Sequence, residues 1–136
     1  MIFADTSYWI ALIDGRDKWH SKALSLGQSL NGVKLLTTDE VLSEVLTFFS
    51  GYGPRIRQSV ARIVFGTLTS ETHVEVAEQS RESFLSGLSL YEMRLDKSYS
   101  LTDCISMQLM RAEGIAEVLT NDRHFTQEGF AILLVD

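Results

Sequence analysis

The chain has 136 residues, 45% of them hydrophobic and 22% charged, which fits one domain with a substantial core spanning 1–136. Its net charge of −6 argues against broad, charge-driven nucleic-acid binding, which needs a basic surface, and suits a basic partner or a bound cation. One cysteine, Cys104, leaves no internal disulfide framework, and no apolar run approaches the roughly 18 residues of a membrane span. The opening "MIFADTSYW" lacks a basic n-region and meets an acid at Asp5, unlike a signal peptide. A cytoplasmic protein is expected.

The predicted elements alternate between short apolar runs and helical patterns. "MIFA" (1–4) is a strand, followed by a short helix over 7–13. Residues 17–30 place Trp19, Ala23, Leu26 and Leu30 at amphipathic helical spacing. "VKLLT" (33–37) returns to strand, and 39–50 is helical. "GYG" (51–53) before Pro54 marks a helix stop and a new start, with Pro54 at a first helical position and the helix running over 54–68. "HVEVA" (73–77) alternates as a strand does. Helices follow over 79–94 and 101–114, the second stopped by Gly114. "AEVLT" (116–120) and "AILLV" (131–135) are the last strands, with a short helix between them.

The order β-α-α-β-α-α-β-α-α-β-α-β predicts an α/β fold, a three-layer α/β/α sandwich around a mostly parallel sheet of about five strands. Ligands of such sheets bind beyond the carboxyl ends of the strands. Asp5 directly follows the first strand, and Asp122 follows the fourth. On the 39–50 helix the apolar line is Val41, Val45 and Phe48, with Leu42, Leu46 and Phe49 beside it. At about 100° per residue, Glu44 lies roughly 40° from the edge of that arc. Glu40 lies further toward solvent and has a local use, because Thr37-x-x-Glu40 matches a capping box. Glu44 has none, and a carboxylate at a core margin is costly unless paired or bound to a metal. Asp103 begins the 101–114 helix on one face with Met107 and Met110; Ser100-x-x-Asp103 is also a capping-box match.

Clustered carboxylates resist ionising together, and a divalent cation removes the repulsion. Hard oxygen ligands select Mg²⁺ or Mn²⁺, and two such ions about 4 Å apart activate water and stabilise the leaving oxygen of a phosphodiester.

Four stretches in order resemble the motifs of PIN-domain ribonucleases, of the kind found as the VapC-type toxin of a toxin–antitoxin pair. "IFADTSYWIAL" (2–12) resembles the first motif with Asp5, and "LLTTDEVLSEVLTFF" (35–49) the second with Glu44. "YSLTDCISMQLMRAEGI" (99–115) resembles the third with Asp103, and "EVLTNDRHF" (117–125) the fourth with Asp122. The acids are spaced by 39, 59 and 19 residues, and "GFAILLV" (129–135) resembles the closing strand. The resemblance implies Mg²⁺- or Mn²⁺-dependent hydrolysis of RNA, with Asp5 and Asp103 as the most direct metal ligands. Glu44 and Asp122 would act directly or through water. Thr6, Thr120 and Asn121 would orient waters or carboxylates behind them. It also implies a small antitoxin partner and a homodimer.

Other residues carry less. His20, His73 and His124 have no ligand spacing among themselves, and only His124, two residues from Asp122, bears watching. Cys104, Phe48–Phe49 and Met107/Met110 read as core. Arg16 and Arg123 are candidates for RNA phosphates near the catalytic edge; Arg55, Arg57 and Arg62 fit such a role or a solvated face equally. A non-catalytic RNA- or protein-binding module, or a housekeeping RNA-processing nuclease without an antitoxin, are the competing readings. A phosphoacceptor receiver also gathers acids around Mg²⁺, but it needs a late lysine, and none follows Lys97.

Overall fold

The computed structural model describes residues 1–70 and 73–136. Five strands, β1 (Ile2–Ala4), β2 (Leu35–Thr38), β3 (Val74–Ala77), β4 (Glu117–Leu119) and β5 (Ala131–Ile132), form one sheet in the order β3-β2-β1-β4-β5. Every pairing is parallel, so the sheet is wholly rather than mostly parallel. The helices are α1 (Thr6–Ile13), α2 (His20–Ser29), α3 (Asp39–Phe48), α4 (Pro54–Thr69), α5 (Arg81–Met93), α6 (Leu101–Glu113) and α7 (His124–Gln127). This is the predicted element order with shifted ends.

β1 and β2 are buried along their whole length, as apolar strands covered on both faces must be, while the edge strand β3 is only partly buried. The chain runs outward from β1 to β3 through α1–α4, then crosses back to β4 through α5 and α6; the right-handed rule for parallel crossovers assigns these two helix sets to opposite faces. The packing agrees: α1 lies on α2 and α3, α3 on α4, and α5 on α6. The direction of winding reverses between β1 and β4, so the crevice opens at their carboxyl ends. There the Asp5 amide donates to Leu119 O at 3.1 Å.

Local signals account for several helix ends. Ser100 and Asp103 form the predicted reciprocal box, both bonds at 3.0 Å, and Gly114 closes α6 in the left-handed region at φ +68°. Pro54 opens α4 after Gly53. The predicted Thr37-x-x-Glu40 box does not form. Thr38 caps α3 instead, accepting from the Val41 amide at 3.0 Å. Thr37 is fully buried; its Oγ1 donates to Ala4 O at 2.8 Å and accepts from Trp9 Nε1 at 3.4 Å. A buried hydroxyl needs partners, and β1 and α1 supply them.

The core line on α3 is also corrected. Val41, Leu42, Val45 and Phe49 are buried, but Leu46 is exposed and Phe48 is 44% exposed. Phe48 packs instead on the rings of Phe49 and Tyr52, at centroid distances of 5.0 and 5.7 Å, in the turn leading to Pro54.

One close approach fixes α6, and hence Asp103. A Cβ on Gly87 of α5 would lie 2.4 Å from Ile105 Cγ1 and 3.0 Å from the Ile105 backbone nitrogen. Gly87→Ala gains helix propensity, about 1 kcal/mol, but must push α6 away, a clash that typically costs about 1–3 kcal/mol. A net loss of stability is expected in denaturant titration; a stabilised variant would mean that the two helices part freely.

Candidate active site

Asp5 occupies the N-cap position of α1, where aspartate ordinarily binds first-turn amides. Here its carboxylate makes no capping bond. Instead Oδ2 accepts from Thr120 Oγ1 at 2.8 Å, and Oδ1 is buried without a hydrogen-bond partner. The residue is only 4% exposed. An unpaired buried carboxylate oxygen is a costly arrangement.

The other acids arrive from separate elements. Glu44, one turn into α3, accepts from Thr6 Oγ1 at 2.5 Å. Asp103 comes from the first turn of α6, and Asp122 from the turn after β4. Thr120 ties these segments together. Besides its bond to Asp5, its Oγ1 accepts from the Asp122 amide at 3.1 Å and lies 3.0 Å from Ser7 Oγ. Ser7 Oγ also accepts from the Asn121 amide at 3.2 Å. The result is a single open cleft of about 510 Å³ lined by all four acids with Thr6, Ser7, Asn121 and Arg123.

Burial, with neighbouring charge adding to it, raises Asp5, Glu44 and Asp103. Burial, reinforced by the charges of Asp103 and Glu44, raises Asp5 to about 7, although the Thr6 amide and the Thr120 hydroxyl oppose it. Burial also raises Glu44, with Asp103 and Asp122 adding to the effect. Asp103 is raised chiefly by burial and further by Asp122. A mutual rise among clustered acids is what a cation reverses.

The residues expected around the acids fall in different places. Thr6 and Thr120 stand behind Glu44 and Asp5, and Asn121 lines the cleft. Arg123 is at the rim. Arg16 is not among the cleft residues; it lies beyond the far end of α1, bonded to Asp14 at 3.3 Å and over the Tyr52 ring. His124 lies beside two of the acids, with Nδ1 3.3 Å from Asp122 Oδ1 and 3.8 Å from Asp103 Oδ2. Ser7, Ser98 and Tyr99 were not singled out as site residues. Only the hydroxyl following Thr6 in the first motif hinted at Ser7. A roomier hollow of about 620 Å³ between α1, α2 and the start of β2 is lined by no carboxylate among the described residues, so it offers no comparable cation site.

The donor set fits a hard divalent cation. Four carboxylates converge, one buried oxygen forms no hydrogen bond, and among the described residues no lysine or arginine is paired with Asp5. Thr120→Val removes the bond that aims Asp5. It is expected to weaken Mg²⁺ binding about tenfold in calorimetric titration, the usual scale for losing a partner behind a ligand. Unchanged affinity would make Thr120 merely a strand-end packing residue.

The PIN domain family model matches residues 2–130. The 23S rRNA-specific endonuclease VapC20 of Mycobacterium tuberculosis is 33% identical over 134 residues, 96% of this chain and 95% of that protein. The crystal structure of M. tuberculosis VapC20, described as a sarcin-ricin loop cleaving toxin, superposes with a TM-score of 0.84 at 29% identity, covering 96% of this chain and 97% of its own. With four ordered acids at the switch point of a parallel α/β sheet, and matches in profile, sequence and fold that run nearly end to end, the chain belongs to the PIN domain family.

Proposed function

We propose that this protein is a divalent-metal-dependent endoribonuclease, the toxin of a type II toxin–antitoxin pair, in which Asp5, Glu44, Asp103 and Asp122 hold Mg²⁺ or Mn²⁺. The observation that carries the reading is the buried, donorless Oδ1 of Asp5 in a cleft with three further carboxylates. When bound, the cation supplies Lewis-acid polarisation of the phosphodiester and activation of the attacking water. The chain's own residues position it. Thr120 aims Asp5, Thr6 aims Glu44, and the Ser100 box sets the rotamer of Asp103. Asn121 and Arg123 line the cleft where an RNA backbone would lie, and Arg123 offers the positive charge that a phosphate needs. Much of the net charge of −6 is then local to the cation, so it does not preclude RNA elsewhere on the surface.

The reading extends to partners. An antitoxin segment that supplies a cation to the cleft would compete with metal and substrate together. Exposed apolar side chains such as Phe65, Leu85, Met93 and Leu95 provide surface for such a partner or for a homodimer, and light scattering that finds only monomer would count against the dimer. Among the described residues no helix is long and apolar enough to cross a membrane.

The relatives' names make ribosomal RNA the first substrate to try. Incubating metal-stripped protein with ribosomal RNA should give discrete fragments on adding Mg²⁺ or Mn²⁺, and none in EDTA. Cleavage that persists in EDTA would sink the metal mechanism. Metal binding without cleavage of any RNA would favour the non-catalytic module.

A further inference from the structure

The acids of the cleft divide into two groups. Asp5 and Glu44 lie on the β1–α3 side. On the other side Asp103, Asp122 and His124 offer one ligand atom each, all within 4.8 Å of one another, as atoms around one ion would be. The imidazole is the unexpected member. Its Nδ1 is fully buried yet has no hydrogen-bond partner, despite lying 3.3 Å from Asp122 Oδ1 and 3.8 Å from Asp103 Oδ2. The nearest carboxylate oxygens are close enough to share a cation with Nδ1, and neither forms a hydrogen bond with it.

The surroundings fix that ring. Nε2 lies 3.3 Å from Ser98 Oγ. A ring that donates Nε2–H there keeps the Nδ1 lone pair for a cation, since the bond made by one ring nitrogen sets the role of the other. The ring packs against Tyr99 at a centroid distance of 5.1 Å. Tyr99 is held in turn, its hydroxyl donating to Glu128 Oε2 at 2.9 Å. The Glu128 side chain is only 4% exposed and is clamped by Arg94 at 2.9 Å and Arg111 at 2.7 Å. A buried carboxylate held by two partly exposed arginines thus anchors Tyr99 against His124, and Nδ1 is left facing the acids.

We propose that His124 Nδ1 is a metal ligand, forming with Asp122 and Asp103 a second cation position beside the one centred on Asp5, with Asp103 shared. This deepens the metal-nuclease reading and rests on it. An imidazole nitrogen is a poor ligand for Mg²⁺, which prefers oxygen and keeps its waters, and a good one for transition ions. The mixed donor set therefore makes this position favour Mn²⁺ over Mg²⁺.

The test is spectroscopic and needs no turnover. Metal-stripped protein is titrated with Mn²⁺ and examined by electron spin-echo envelope modulation for ¹⁴N coupling. His124→Gln is measured alongside it, and the affinities for Mn²⁺ and Mg²⁺ are determined by calorimetry. A ¹⁴N modulation is expected in the wild type and not in H124Q. H124Q should also bind Mn²⁺ at least about tenfold more weakly while its Mg²⁺ affinity changes little. Mn²⁺ bound without ¹⁴N modulation in the wild type, or with modulation that survives in H124Q, would overturn the assignment of His124 and leave the carboxylate site standing. No Mn²⁺ binding by folded wild-type protein would overturn both. The wild-type spectrum decides the matter even if H124Q folds poorly.

Discussion

Replacing Asp5 with asparagine is expected to lower RNA cleavage about a thousandfold or more while making the metal-free protein more stable at neutral pH. The two effects share one cause. Asp5 is 4% exposed, its Oδ1 has no donor, and Asp103 and Glu44 add charge to its surroundings. Without a cation, the ionised carboxylate is an electrostatic burden. Asparagine keeps the shape, keeps an oxygen for Thr120, and places an amide donor among the remaining acids. It cannot replace an anionic ligand. Lewis-acid assistance is worth several kcal/mol and each factor of ten about 1.4 kcal/mol, which gives the expected rate loss. Cleavage rates at saturating Mg²⁺ and melting temperatures in EDTA measure the two halves. Lost activity with a lowered melting temperature would assign Asp5 a structural role; retained activity would remove it from the site altogether.

In EDTA, the stability of the wild-type protein should fall as pH rises from about 4 to about 7, and Mg²⁺ should restore it at the upper end. The folded-state pKa of Asp5, about 7, exceeds its ordinary 3.8. Between those values the folded chain holds a proton that the unfolded chain has released, so stability decreases with pH there. A displacement of roughly three units corresponds to about 4 kcal/mol, and raised Glu44 and Asp103 act in the same sense. Glu128 has the opposite sign. Although burial alone would raise it, Arg94, Arg111 and Tyr99 hold it down at about 2. Its contribution is present above the ordinary glutamate value and is lost as pH falls toward 2. The metal-free protein should therefore be most stable on the acid side of neutrality. Thermal melts across pH in EDTA should drop by roughly 10 °C between pH 5 and pH 7.5. Added Mg²⁺ should recover the loss at pH 7.5 and do little at pH 5, since it must displace the proton on Asp5. A flat profile in EDTA would mean that burial does not raise Asp5 as its place in the cleft requires.

The same residues show how far the sequence reaches. Element order, the Ser100–Asp103 box, the Gly114 stop and the Pro54 start are local. They depend on periodicity, on backbone dihedrals and on bonds spanning three or four residues, so they were legible directly. The positions of Asp5 and Asp122 at strand ends follow from the same patterning. Thr37 and Phe48 were misread for a complementary reason. Which of two adjacent threonines caps α3 depends on β1 and Trp9 claiming Thr37, and Phe48 faces a turn that the helical period cannot see.

By itself, then, the sequence determined the α/β class, the order of its elements and the four acids that a cation would need. Those depend on short-range stereochemistry and apolar spacing. Only the tertiary structure decided that β4 lies against β1, which puts Asp122 and Thr120 beside Asp5 across 115 residues of chain. It also decided that Asp5 keeps one oxygen bare, and that Glu128 and Tyr99 brace a histidine against the acids. These are contacts between segments far apart in sequence, and their energies depend on burial and mutual orientation, which no local pattern encodes.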